Sequence, residues 1–132
     1  MGNVYPAKSL IGIAKSLLRG EISFRSGAMA AAVTSFEEAV AMQDALPYTE
    51  PPFWYYPTRQ SLGAALLADG RAAEAQLVFE ADLEQYPMNG WSLYGLTEAL
   101  NAQGLTASAE AARQRFETVW QFSDVTLSSS VL

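Results

Sequence analysis

The side chains best equipped for chemistry in this sequence are carboxylates: the adjacent pair Glu37-Glu38 and the alternating set Glu80, Asp82 and Glu84. Paired acid and base work needs two carboxyl groups that face one another. Helix neighbours one or two positions apart point in different directions, so these groups are not spaced for it. The sequence has no histidine and no cysteine. Imidazole proton transfer, thiolate nucleophiles, disulfides and the usual structural zinc sites are thereby removed. There is no glycine-rich phosphate loop, no Gly-x-Ser-x-Gly elbow and no cluster at metal-ligand spacing. No catalytic residue, metal or cofactor is expected. The stretch that stands apart is ALPYTEPPFWYYPTRQSLGAAL, residues 45–66, where Tyr48, Phe53, Trp54, Tyr55 and Tyr56 sit among Pro47, Pro51, Pro52 and Pro57. Its chemistry is that of holding another group, by aromatic surface and little else.

The elements that position these residues must come from one domain's worth of chain. With 132 residues, a chain buries roughly two-thirds of its unfolded surface. Half the residues are apolar and 17% are charged, the composition of a packed globule. The net charge of −6 argues against nucleic acid and anionic membranes, which select basic patches. Lys8, Lys15, Arg19 and Arg25 cluster in the first quarter and read as a solvated helix face. No apolar run approaches the ~20 residues of a membrane helix. The apolar SLIGIA after Lys8 is short for a secretory signal and is interrupted by Lys15. Met1-Gly2 does not open a myristoylation motif, because Pro6 stands where serine or threonine is needed. A soluble cytoplasmic protein is the expectation.

Overlaying the chain on itself exposes a repeat. Gly104 lies 34 residues after Gly70, and at the same lag Leu62 meets Leu96, Ala65 meets Ala99, Leu66 meets Leu100, Ala68 meets Ala102, Ala73 meets Ala107 and Ala75 meets Ala109. Gly20 and Gly27 are seven apart, as are Gly63 and Gly70, and Ala32-x3-Phe36 matches Ala75-x3-Phe79 at the same distance from the second glycine. From Gly20 to Gly63 is 43 residues, nine more than the lag, and the excess falls in the aromatic stretch. That stretch is an insertion between repeats. The spacing predicts helices at 6–25, 28–46, 57–69, 72–86, 90–103 and 106–122. Glycine inside a helix costs about 1 kcal/mol against alanine, so Gly20 and Gly63 imply close approach by a neighbour. Phe36 and Phe79 would fill the space between helices, while Gly27, Gly70 and Gly104 would end helices in the left-handed conformation.

A 34-residue helix–turn–helix period resembles the tetratricopeptide repeat, whose pattern is W-x2-L-G-x2-Y, then A-x3-F, then P. The second copy keeps Leu62-Gly63, Ala75, Phe79 and Pro87, with Arg59 for the tryptophan and Leu66 for the tyrosine. The first keeps Gly20, Ala32, Phe36 and Ala39. The third departs most, with Thr97 for the glycine and Arg113 for the phenylalanine, and Trp91-x2-Tyr94-Gly95 offers a second register two residues earlier. The run Tyr48-x-Glu50-Pro51-Pro52-x-Trp54, followed by Pro57-x-Arg59-x2-Leu62-Gly63, is similar to the C-terminal region of poorly characterised bacterial proteins of this kind. In those, more helical sequence precedes the block.

The resemblance implies an all-α fold of three tandem helix-turn-helix repeats, about 13–46, 56–89 and 90–123, forming a short right-handed α-solenoid. The loop 47–56 is inserted and the tail 124–132 covers the last helix or frays. It also implies a concave groove lined by Leu17, Glu21, Phe24 and Arg25, then Gln60, Ala64 and Leu67, then Trp91, Tyr94, Glu98 and Asn101. The Lys, Arg and Asn clamp of chaperone-binding relatives is largely absent. The mixture of aromatics and carboxylates suits an apolar or basic extended segment of an unidentified protein or peptide. Phe24 and Tyr94, each taken alone, read first as packing within the stack. In the loop, Tyr48, Glu50, Trp54, Tyr55 and Arg59 are candidates for a binding wall, or Trp54, Tyr55 and Tyr56 plug the gap with Glu50 paired to Arg59. The alternatives to an interaction module are a structural cap ending a longer solenoid and a small-ligand pocket between loop aromatics and groove. Leu10, Ile11, Ile13, Leu17, Leu18 and Ile22 make the first helix apolar on more than one side, and a homodimer through it is expected.

Overall fold

Glycine placement decides where this chain turns. Gly27, Gly70 and Gly104 adopt φ of 82°, 76° and 73°, and no other residue among those described takes a positive φ. In each case the residue after the glycine donates its N–H five residues back, Ala28 to Ser23, Arg71 to Leu66 and Leu105 to Leu100, at 2.8, 2.8 and 3.0 Å. This is the Schellman closure of a helix end, which needs a left-handed residue at that position. The carbonyls of Ala28, Arg71 and Leu105 then accept the first bonds of the next helices, from Ala32, Ala75 and Ala109. Three helical hairpins thus share one turn, atom for atom.

The structure is a computed structural model and describes residues 6–131. Among these there are six helices and no strand: α1 (Ala7–Arg25), α2 (Met29–Asp44), α3 (Thr58–Ala68), α4 (Ala72–Gln85), α5 (Gly90–Ala102) and α6 (Thr106–Trp120). Each lies within two residues of its predicted span. Met1 to Tyr5 and Leu132 lie outside the described residues. The chain divides into two compact units, residues 1–58 and 59–132.

In the first unit α1 packs on α2. Phe36 is buried at 1% exposure with its ring against Gly20, where a Cβ would meet Cε1 at 2.3 Å. Ile13, Ala32, Val33 and Ala39 complete the core. Buried Ser16 donates to Glu38 at 3.2 Å, and Arg19 bridges the same carboxylate at 2.9 Å. The unit ends on a bond from α2 to the first residue of α3. Gln43 Oε1 accepts from the Thr58 hydroxyl at 2.5 Å and from its N–H at 3.3 Å, satisfying one of the donors a helix start leaves over.

In the second unit Phe79 of α4 is the central side chain. It is fully buried, and a Cβ built on either Gly63 of α3 or Gly95 of α5 would meet its ring at 2.3 Å. Both glycines are there because two helices close on one ring. Leu62 and Leu96, Ala65 and Ala99, Leu66 and Leu100, and Ala75 and Ala109 are all buried, while Ala68 and Ala102, and Ala73 and Ala107, are all exposed. These six pairs, each 34 residues apart, match in burial, whereas buried Phe79 and exposed Arg113 at the same separation do not. Gly95, not Thr97, meets the phenylalanine of the preceding helix, and Thr97 turns its hydroxyl to the Leu93 carbonyl at 2.9 Å. Arg113, at the place of the missing third phenylalanine, lies on the surface with Glu110 at 2.7 Å and with Glu117.

Candidate functional site

Helix α5 is enclosed on every side but one. Gly90, Ser92, Leu93, Gly95, Leu96, Thr97, Ala99 and Leu100 are buried, whereas Trp91 and Tyr94 are half-buried and Glu98 and Asn101 are exposed. Positions 91, 94, 98 and 101 fall on one stripe of a helix, so four of the predicted groove residues form a single open strip. The helix is aimed by its cap. Asn89 accepts from the Trp91 N–H at 3.1 Å, as an N-cap side chain does. The Asn89 amide donates to Asp82 at 3.0 Å, and Ser92 donates to the same carboxylate oxygen at 2.5 Å.

Asp82 is buried on α4 beneath this start. Burial raises its pKa, opposed by the hydrogen bond from Ser92, the charge of Arg59 and the hydrogen bond from Asn89. Its role is to hold the α4–α5 corner. The other carboxylates are used similarly or face solvent: Glu38 takes Arg19, Glu80 accepts from Gln76 at 2.8 Å, and Glu37 and Glu84 are exposed. No group of three or more His, Cys, Asp and Glu among the described residues is arranged to hold a metal ion.

Along the α5 strip the aromatic rings are not alone. Trp91 meets Trp120 edge-on with centroids 5.8 Å apart, Tyr94 meets Phe116 edge-on at 5.7 Å, and Phe116 stacks on Trp120 at 5.5 Å. The edge-on pairs place a ring's positive rim on its neighbour's negative face. Gly90 admits Trp120, whose ring atoms would lie 2.4 Å from a Cβ. All four rings stay half-buried, so the cluster is seated in the protein and still presents apolar surface. Burial, then the charge of Glu98, raises the Tyr94 pKa. The repeat does not single out Phe116 and Trp120, because Asp82 and Tyr86 stand 34 residues before them and form no such pair. Their i, i+4 spacing on α6, facing an aromatic pair on α5, is the signal that points to them.

The remaining predicted residues are distributed differently. Leu17, Glu21 and Phe24 are half-buried on α1, and Arg25 is exposed with Glu21 at 3.7 Å. On α3, Gln60 and Ala64 are buried and Leu67 is half-buried, so at this helix the predicted face is closed. In the loop, Tyr48 and Tyr55 are 84% and 87% exposed, and Tyr56 is exposed as well. The expected plug therefore includes neither Tyr55 nor Tyr56, and only Phe53 and Trp54 turn substantially inward. Tyr48 donates to Glu50, which raises the tyrosine pKa. Arg59 is half-buried, and its charge acts on Asp82. Lys8, Lys15, Arg19 and Arg25 are exposed, as expected for a solvated face.

The tail neither frays nor lies only on α6. Trp120 Nε1 donates to the Val125 carbonyl at 2.6 Å, Leu127 and Ser130 are buried, and the Ser130 hydroxyl donates to the Gln60 carbonyl of α3 at 3.3 Å. No helix among the described residues is long and apolar enough to cross a membrane. Comparison with models of known families, with curated proteins and with solved structures finds no match to this chain.

Proposed function

We propose that this chain is a protein-interaction module, a short array of tetratricopeptide-like hairpins that holds an extended segment of a partner protein against the open strip of α5. The observation that carries the reading is the open strip on α5, where Trp91, Tyr94, Glu98 and Asn101 stay accessible on a helix whose other residues up to Leu100 are buried. Large rings fixed by their neighbours lose little freedom on binding, which is what anchor residues of an interface require. Glu98, one turn beyond Tyr94 in the strip, favours a partner with a lysine or arginine beyond its apolar residue. The three identical glycine turns support a repeat architecture. Panning a random peptide library on the purified chain tests the reading. Enriched peptides should pair an apolar residue with a basic one, lose binding to Tyr94→Ala, and change to acidic partners with Glu98→Lys. Peptides indifferent to both substitutions would refute it.

Self-association through α1 belongs to the same proposal. Ile11, Leu18 and Ile22 are 58%, 62% and 60% exposed and lie on one stripe of the helix, an apolar surface that a second copy would cover by a two-fold contact. Light scattering should report twice the 14.3 kDa chain mass, reverting to the single mass in Ile11→Glu, Leu18→Glu. A monomer in the unsubstituted chain rules the contact out.

A further inference from the structure

Residues 125–131 are held in a manner unlike the rest of the fold. Beyond Ser123, whose N–H donates to the Trp120 carbonyl at 2.8 Å, no backbone-to-backbone hydrogen bond holds this segment among the described residues. It forms neither helix nor strand. Its attachments are the indole N–H of Trp120 to the Val125 carbonyl, one buried leucine at 127, and the hydroxyl of Ser130 to the Gln60 carbonyl. Two further backbone N–H groups, of Val125 and Val131, are met by the hydroxyls of Ser123 and Ser129 at 3.2 and 3.3 Å. An irregular run that gives one side chain to a buried position and two polar atoms to fixed partners is bound as a peptide ligand is bound.

Its anchors coincide with the candidate site. Trp120 belongs to the aromatic cluster and packs on Trp91, and Gln60 is, with Ala64, a buried member of the predicted strip on α3. The equivalent strip on α5 is open, and the segment ends its described course on α3. The segment is preceded by one charged group, Asp124, and itself offers only Val, Thr, Leu and Ser.

Resting on the interaction-module reading above, we propose that residues 125–131 are a displaceable ligand held in cis, and that the site takes in its place a partner segment with a leucine followed three positions later by a hydroxyl. The short connection to α6 gives the segment an effective concentration of order mM. Even a weak intrinsic affinity therefore keeps the site largely filled. A competitor binds only the open fraction, so its apparent affinity falls by that fraction, and 90–99% occupancy in cis weakens it about 10- to 100-fold. Displacement frees the Trp120 indole beside Trp91, which couples tail release to the aromatic strip.

The probe is a fluorescent peptide of residues 123–132, titrated against the full chain, a chain lacking 124–132, and full-length Leu127→Asp. Helix content by circular dichroism is recorded for each. The expected result is binding at least 10-fold tighter to the shortened chain and to Leu127→Asp than to the full chain, with a peptide carrying the same aspartate failing to bind. A shortened chain that keeps its helices and does not take the peptide overturns the proposal. Loss of helix content on shortening overturns it too, because the segment is then part of the core. Library-selected peptides that bind full and shortened chains equally, through Tyr94 and Glu98, would sink the cis ligand and leave the interaction module standing. Peptides from neither source binding the folded shortened chain would sink both.

Discussion

Replacing Gly63 by alanine should destabilise the native chain and stabilise a chain in which Phe79 has been shortened. The added methyl would lie 2.3 Å from Phe79 Cζ and 2.6 Å from Cε1. The ring cannot retreat, because Gly95 closes on it at the same 2.3 Å and the side chain is fully buried. Overpacking of this kind costs about 1–3 kcal/mol, while alanine in place of a helical glycine returns about 1 kcal/mol. The net loss in the native background is about 0–2 kcal/mol. Phe79→Leu removes the atoms that would be struck, so in that background only the gain of about 1 kcal/mol remains. Leucine is the better background than alanine, since Phe79→Ala would itself cost about 3–5 kcal/mol out of a total of about 5–15 kcal/mol. Urea unfolding of the four proteins, followed by far-ultraviolet circular dichroism, gives each free energy from midpoint and slope. The coupling between the two sites should be about 1–3 kcal/mol. Additivity within about 0.5 kcal/mol, with Gly63→Ala stabilising in both backgrounds, would refute the idea that the glycine serves the ring.

Alanine at Gly27, Gly70 or Gly104 meets no atom within 4 Å, so each substitution should cost only the left-handed backbone, about 1–2 kcal/mol, and the three losses should match. Unequal values in urea unfolding would show that the turns are not equivalent. Burial raises the Asp82 pKa in the folded state above its unfolded value near 3.8, so between these two values the native state holds more protons and this group's contribution falls as pH rises. Asp82→Asn should accordingly gain stability relative to the unsubstituted chain as pH climbs through that window, and a constant difference across it would count against the buried assignment. Within the inserted loop of the native protein, chymotrypsin should cut first after Tyr48 or Tyr55, its most exposed aromatics, and cleavage after half-buried Trp54 before them would contradict the orientation of the loop.

The helices and their turns were legible because glycine placement is a backbone matter. A left-handed C′ position admits few other residues, and its recurrence at the 34-residue lag marks both the ends and the repeat. The pairing of Gly20 with Phe36 and of Gly63 with Phe79 was legible for a related reason, since a helical glycine is explained only by something close. Asp82 was misleading in the sequence, where it alternates with Glu80 and Glu84 like a surface carboxylate. It lies instead on the buried side of α4 with Ala75, Phe79 and Leu83, and its partners Asn89 and Ser92 come from the next helix. Gln60 and the tail were illegible because their contact joins residues 70 apart through one hydroxyl. Tyr48 and Tyr55 defied the tendency of large aromatics to bury themselves.

The bond from Gln43 to Thr58 ties the two ends of the inserted loop together, so the length of the loop matters little to the residues it joins. One side chain fixes both the hydroxyl and the first amide of α3 from fifteen residues upstream. Doubling such a path adds only about 0.6 kcal/mol of closure entropy. Foreign sequence grafted between Tyr55 and Tyr56 would thus be displayed outward from a fixed pair of posts, which makes this the natural place to insert a tag, a fluorophore peptide or a second recognition loop.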